Sequence, residues 1–314
     1  MHGFFIIRRT AMWFKNLALY RFTEPFSLAT EELEEKLADK RFRPCGSQDE
    51  FSMGWTSPVG DATEQLIHAS NGFMMLCLKK EEKVIPAAVI NEMLQEKVFE
   101  KEEQEVRKLS KKERTALKDE LIFELLPRAF SFSKKTYAYI DPKGGWMVVD
   151  AASAKKAEDL LSHLRKCLGS LPVVPINTVD NPVSIMTEWL VDNSSTPKDL
   201  LVEDECELRS PEEDGSIIRC KRHDLSLPEI TNHLDIGKQV IKLAVNWTDR
   251  LSFIVDENLA IKRLKFLDLI QDQVSDTDAE DEIARFDVDF SIMSLELSNF
   301  LPRLLEIFGG ENKV

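Results

Sequence analysis

Strand-like and helix-like stretches follow one another in this chain without the steady strand–helix–strand rhythm that a parallel sheet requires, so the pattern points to an antiparallel α+β fold. Trp13 to Phe22 reads as a strand. Thr30, followed by Glu31 and Glu32, reads as the N-cap of a helix through Leu33 and Leu37. Phe73 to Leu78 is a second apolar strand. After Pro86 a helical pattern runs through Ile90, Leu94 and Val98 to about Leu126, as one long helix or a broken pair. Thr136 to Ile140 and Trp146 to Val149 flank Asp141-Pro142-Lys143-Gly144-Gly145, whose glycines suit a hairpin. A helix is expected from about Ala154 to Leu168, with Gly169 as its stop, and Leu171 to Ile176 carries two prolines, as edge strands do. Ser226-Leu227-Pro228-Glu229 reads as a capping box for a helix to about Ala244. Leu251 to Val255 and Leu259 to Phe266 form another hairpin, and a last helix spans about Ser294 to Phe308.

With 314 residues and 43% hydrophobic content the chain can bury a large core. Its apolar runs are far shorter than the roughly 20 residues of a membrane span. Residues 1–11 read as an appended start, with Met12 the more natural one; the apolar block Phe4 to Ile7 precedes its charges, the reverse of a secretion signal. Beyond it the pattern divides into an N-terminal α+β region (12–90), a long helical basic arm and tip (91–130), a central hairpin-helix region (131–186) and a C-terminal α+β region (187–314). The five cysteines lack the paired spacing of a zinc site or a disulfide framework, which suits a reducing cytoplasm.

The net charge is −14, yet the cations are gathered. Between Arg107 and Lys118 stand Arg107, Lys108, Lys111, Lys112, Arg114 and Lys118 against Glu113 alone, and Arg128, Lys134 and Lys135 follow. At about 100° per residue, Arg107, Lys111, Arg114 and Lys118 share one helical stripe. A solvated helix surface is the plain reading of such a run; a face for a polyanion is the other. The acids of the same helix, Glu100, Glu102, Glu103 and Glu105, cluster earlier, which weakens the first reading. Lys155 and Lys156 open a helix, where they oppose its dipole, and Lys221 and Arg222 flank a loop beside His223. Simple exposure to water would account for these, and so would phosphates. The segment Glu188 to Asp214 holds ten acids against Lys198 and Arg209 and reads as peripheral. Phe130 and Phe132 read from the residues alone as core anchors of a strand.

Glycine loops for nucleotides, HExxH and GxSxG are absent from the sequence. Cys45 and His68 would pair only if folding joined them; Cys220 and His223, three apart, lack two further ligands in a recognisable spacing. Asp276, Asp278, Asp281, Asp287 and Asp289 are candidates for Mg²⁺ in a nuclease, against a default of a solvated acidic face. The residues therefore leave three readings open: a DNA-binding protein, a protein-binding scaffold whose cations only solubilise it, and a metal-dependent nuclease. No cofactor is expected under the first.

Several stretches, in order, resemble the RdgC family of bacterial recombination-associated proteins: Met12-Trp13-Phe14-Lys15-Asn16-Leu17, Pro44-Cys45-Gly46-Ser47-Gln48-Asp49, Met53-Gly54-Trp55, Leu126-Pro127-Arg128-Ala129-Phe130-Ser131 and Ser153-Ala154-Lys155-Lys156-Ala157-Glu158-Asp159. Leu168 to Pro175, Glu229 to His233 and Lys262 to Phe266 continue the match. The resemblance implies a ring-shaped homodimer that encircles single- and double-stranded DNA with little sequence preference, restrains RecA-type recombination, performs no catalysis and works in the cytoplasm at the nucleoid. It implies that Phe130 packs at a subunit contact acting as a gate, which reverses the core reading, and that the loop of Lys221 and Arg222 projects toward DNA. His223 departs from an uncharged amide expected there.

Overall fold

The computed structural model describes residues 13–212, 214–267, 270 and 281–312; residues 1–11 and Glu213, Asp276 and Asp278 lie outside them. Among the described residues are two antiparallel sheets. The first has seven strands: β1 (Ala18–Phe22), β2 (Phe51–Thr56), β3 (Ile67–Ser70), β4 (Phe73–Val84), β5 (Phe130–Asp141), β6 (Trp146–Val149) and β7 (Val173–Pro175). Their order is β2-β4-β5-β6-β1-β7, with β3 also on β4. The second, of five strands, runs β12 (Ile261–Phe266), β11 (Leu251–Asp256), β10 (Gln239–Trp247), β8 (Leu200–Arg209), β9 (Ile217–Lys221).

Strand alternation gives the first sheet two buried faces. One, with Trp55, Leu76, Leu78, Ile140 and Val149, packs on Leu33 and Leu37 of α1 (Thr30–Ala38) and on Leu160, Leu161 and Leu164 of α4 (Ala154–Leu168). The other, with Leu19, Met75, Tyr139 and Val148, shares a core with the second sheet and with Phe290, Met293, Leu297 and Phe300 of α7 (Glu282–Ile307). Between β4 and β5 the chain leaves this body as α2 (Ala87–Glu105) and α3 (Lys111–Leu125), which pack on each other; no α2 residue is buried. Two shorter helices, α5 (Pro182–Val191) and α6 (Pro228–Asp235), pack against each other, and α5 also packs on β10.

The antiparallel α+β class and both hairpins form as expected. Asp141 Oδ1 accepts the Gly144 N–H at 2.7 Å and Gly145 takes φ +70°, so the turn needs its second glycine. Gly169 stops α4 at φ +80°, and β7 is an edge strand against β1.

Four expectations change, and one left open between two forms is resolved. Thr30 is the first helical residue and leaves the cap to Ala29, which offers no side-chain oxygen. The pattern after Pro86 is two helices: Val106 turns left-handed at φ 53°, and Ser110 and Glu113 form a reciprocal capping box that opens α3. The acidic segment is not peripheral, because β8 lies between β9 and β10 and buries Leu200, Cys206 and Leu208 while its acids take the other face. Ser226 bonds Asp224 rather than capping α6, which ends at Asp235; Gly237 at φ +91° then turns the chain into β10. The last helix begins twelve residues earlier than Ser294, at Glu282.

Candidate nucleic-acid interface

Past residue 78, β4 leaves the core: Phe73 to Leu78 are buried, Lys79 to Lys83 only partly so, and their partners Ser131 to Lys135 on β5 are exposed. In this ribbon Lys79 stands directly opposite Lys135, and Lys80 opposite Lys134. Like charges facing each other across a ladder destabilise it. Two such registers in succession add no stability to the ribbon by themselves. Lysines on an open edge also deter strand addition. That accounts for Lys134 and Lys135, on a stretch of β5 beyond its pairing with β6, but not for Lys79 and Lys80, because β4 here lies between β2 and β5.

The ribbon is only lightly neutralised. Lys80 pairs with Glu82, whereas Lys79, Lys134 and Lys135 form no ion pair among the described residues. Instead Lys79 stands 4.3 Å from the Phe42 ring centre and Lys134 4.7 Å from that of Phe132, with Lys80 5.0 Å from Phe51. Glu81 is engaged by the Ser131 hydroxyl (2.6 Å) and the Cys45 N–H (3.0 Å), which hold its carboxyl below the usual range.

The N-terminus of α4 brings Lys155 and Lys156 to the same place. Lys80, Lys134 and Lys155 all act on Glu82, whose pKa they lower with the Lys80 hydrogen bond foremost; Lys135, Lys156 and Lys79 act on the buried thiol of Cys77, where burial prevails and raises the pKa to about 12. Ser153 caps α4 by accepting the Lys156 N–H at 3.3 Å. Lysines here oppose the helix dipole, and neither forms an ion pair among the described residues.

Lys15 extends the cluster. Asp150 Oδ1 accepts the N–H groups of Lys15 (3.2 Å) and Asn16 (2.9 Å), and burial raises the Asp150 pKa against those bonds. The same short strap reaches the second sheet, where the Leu264 N–H bonds the Lys15 carbonyl and Leu17 bridges Ile261. There the open face carries a cleft of about 290 Å³ lined by Asn16, Glu205, Glu207, Arg219, Lys221, Lys242, Lys262 and Arg263, among others. Its cations are paired: Arg219 and Lys242 with Glu207, each at 3.0 Å, and Lys221 and Arg263 with Glu205. Arg222 follows β9 with φ 54°, exposed and without an ion pair among the described residues.

Arg107 drops out of the helical stripe, while Lys111, Arg114 and Lys118 all lie on α3. Arg107 lies between the helices and pairs with Glu105 and Glu113, while Lys108 (2.7 Å) and Arg114 (2.9 Å) both reach Glu102 of α2. The Lys108 hydrogen bond leads in pulling the Glu102 pKa down to about 2. Two of the acids that cluster earlier in sequence, Glu102 and Glu105, thus fold back onto these cations. Lys111, Lys118 and Arg128 remain exposed and form no ion pair among the described residues. Phe130 is 87% exposed and Phe132 40%, so neither is a core anchor within one chain.

Sequence reasoning missed Lys79, Lys80 and Lys15. The available signal was Lys79-Lys80 at the end of an apolar run, but only the β4–β5 register gives it meaning. The remaining candidates are dispersed. Cys45 bonds Glu81 and His68 bonds Asp287 at 2.9 Å, so they do not meet; Asp281 caps α7. Among the described residues no three His, Cys, Asp or Glu side chains converge as a metal site, and no helix is long and apolar enough to cross a membrane.

The RdgC family profile, described as "Putative exonuclease, RdgC", matches residues 12–311. The chain belongs to the RdgC family. RdgC relatives named "Recombination-associated protein RdgC" include those of Tolumonas auensis, 52% identical over 300 residues, and Aeromonas hydrophila, 49% over 302; each match covers 96% of this chain and 99% of the relative. That of Pseudomonas aeruginosa PAO1 is 46% identical over 301 residues, covering 96% and 98%. The RdgC match begins at Met12.

Proposed function

We propose that this RdgC-family chain binds DNA, double and single stranded and with little sequence preference, through the lysines of the β4–β5 ribbon and the N-terminus of α4. The observation that carries the reading is lysine opposite lysine in two successive registers, Lys79 with Lys135 and Lys80 with Lys134. A phosphate backbone seated there would relieve the repulsion and release its own counterions, and such contacts do not read bases. The strap at Lys15 continues the basic surface toward Lys221 and Arg222, while Lys111, Lys118 and Arg128 extend it along the arm. Arg107 and Arg114 would contribute only by exchanging carboxylate partners for phosphate.

The family resemblance supports the rest of the proposal: two chains close into a ring around DNA, Phe130 packs at the subunit contact that opens, and the occluded duplex is withheld from a RecA-type recombinase without catalysis. A Debye length of about 8 Å lets such a surface attract DNA although the whole chain is acidic. The test is retention on closed circular DNA with release from the linearised form, combined with both closed and linearised plasmid incubated with Mg²⁺ or Mn²⁺. Retention on circles and intact plasmid support the proposal. Equal release from both forms overturns encirclement, and cleavage overturns the non-enzymatic reading in favour of the nuclease that the family description names.

A further inference from the structure

The second sheet holds a chemical pair that nucleic-acid binding does not use. Cys206 of β8 and Cys220 of β9 are directly opposite in the antiparallel register, with Glu205 opposite Lys221 and Glu207 opposite Arg219 on either side. Opposed residues of an antiparallel pair share a face and stand about 4.5–5.5 Å apart at Cα, inside the roughly 4.4–6.8 Å that a disulfide spans. Both thiols are free and both face the main core. Their exposure is unequal: Cys206 is buried at 2%, while Cys220, on the outer strand, is only partly covered. The other cysteines have different partners: Cys45 bonds Glu81, Cys77 interacts with Tyr137, and Cys167 accepts the Trp55 indole N–H at 3.2 Å.

We propose that Cys206 and Cys220 are an oxidative modification site at which a peroxide closes a cross-strand disulfide within one chain. Cys220, the reachable sulfur, attacks one peroxide oxygen as thiolate; the O–O bond breaks, and the departing hydroxide takes up the proton to leave as water. The sulfur of Cys206 then attacks the resulting sulfenic acid, its proton leaves with the displaced hydroxyl as a second water, and the S–S bond forms. Two thiols are oxidised by two electrons and one peroxide is reduced. The bond ties the outer strand bearing Arg219 and Lys221 to its interior neighbour, and the proposal stands whether or not these cations touch DNA.

The full-length chain is treated with hydrogen peroxide, unfolded, alkylated and digested with trypsin. The expected product is the peptide Asp199 to Arg209 joined to Cys220-Lys221, lighter by two hydrogen atoms than its parts and lost on reduction. The same treatment in denaturing urea should lower its share several-fold, because any of the five cysteines then competes. In Cys206→Ser, Cys220 should accumulate as sulfenic acid captured by a dimedone-type probe. Separate alkylation of Cys206 and Cys220 after peroxide, or a linked peptide no more abundant from the folded than from the unfolded chain, overturns the proposal, and both readouts use the wild-type chain.

Discussion

Replacing Lys134 and Lys135 together by glutamine removes one cation from each of the two opposed pairs, and it should move stability and DNA affinity separately. Two unit charges about 5 Å apart in water repel by about 0.8 kcal/mol, which salt screening with a Debye length of about 8 Å roughly halves. Relief at both registers is therefore worth about 0.8 kcal/mol, offset by about 0.5 kcal/mol for the lost contact of Lys134 with Phe132. The urea midpoint should stay level or rise slightly. Binding behaves differently: two lost phosphate contacts reduce the slope of log affinity against log salt by about 1.8 for duplex DNA. The disadvantage of the variant should then shrink about twelve-fold between about 50 mM and about 200 mM salt. Fluorescence anisotropy of a labelled duplex across that range, beside urea denaturation, provides both readouts. Parallel salt lines for the two proteins with unchanged stability would refute the assignment, since the lysines would then be surface charges without a ligand.

Other outcomes follow from the same geometry. Ser110→Ala removes one half of the capping box of α3 and should cost about 1 kcal/mol locally, seen as faster amide exchange in α3 with little change in the sheets. Asp199 is held by Arg303 (2.8 and 2.9 Å) and Trp247 (3.2 Å), with the Arg303 bond foremost in lowering its pKa to about 2. Its contribution is present above the unfolded value of about 3.9 and is lost as pH falls toward about 2, so Trp247 fluorescence should report loosening there, and Asp199→Asn should abolish that transition. His223 has its pKa raised by the Asp224 carbonyl and Glu229, so its cation persists above the usual range and is lost as pH rises through the raised value. If the adjoining Lys221 and Arg222 meet phosphate, DNA affinity should fall over that rise in wild type and less in His223→Gln.

What the sequence disclosed was local. The helix at Ala154 to Leu168 has a capping serine, an apolar stripe and a terminal glycine within sixteen residues of one another, and the hairpin around Gly145 closes on itself. Hidden features rest on distant partners or on register. β1 completes its sheet with Trp146 to Val149 and Val173 to Pro175, and no local pattern names those partners. In β8 the register shifts between Val240 and Lys242 and between Leu243 and Val245 of β10 disturb the period of two, so an interior strand passed for an acidic surface. Ser110 and Glu113 carried the signature of a new helix, but the continuous charge run across Arg107 to Lys118 obscured it. The basic ribbon was half legible: Lys134, Lys135, Lys155 and Lys156 stood out as cations, whereas Lys79 and Lys80 became informative only when placed opposite like charge.

Lysine acetylation footprinting with and without duplex DNA tests the central claim most directly, because every amine is read in one digest by mass spectrometry. The account predicts that Lys79, Lys80, Lys134, Lys135, Lys155 and Lys156 lose reactivity together when DNA is present, while Lys36, which lies on α1 within reach of Glu32, keeps its rate. Undiminished acetylation of the six ribbon and α4 lysines under saturating DNA, whatever happens elsewhere on the chain, would contradict it.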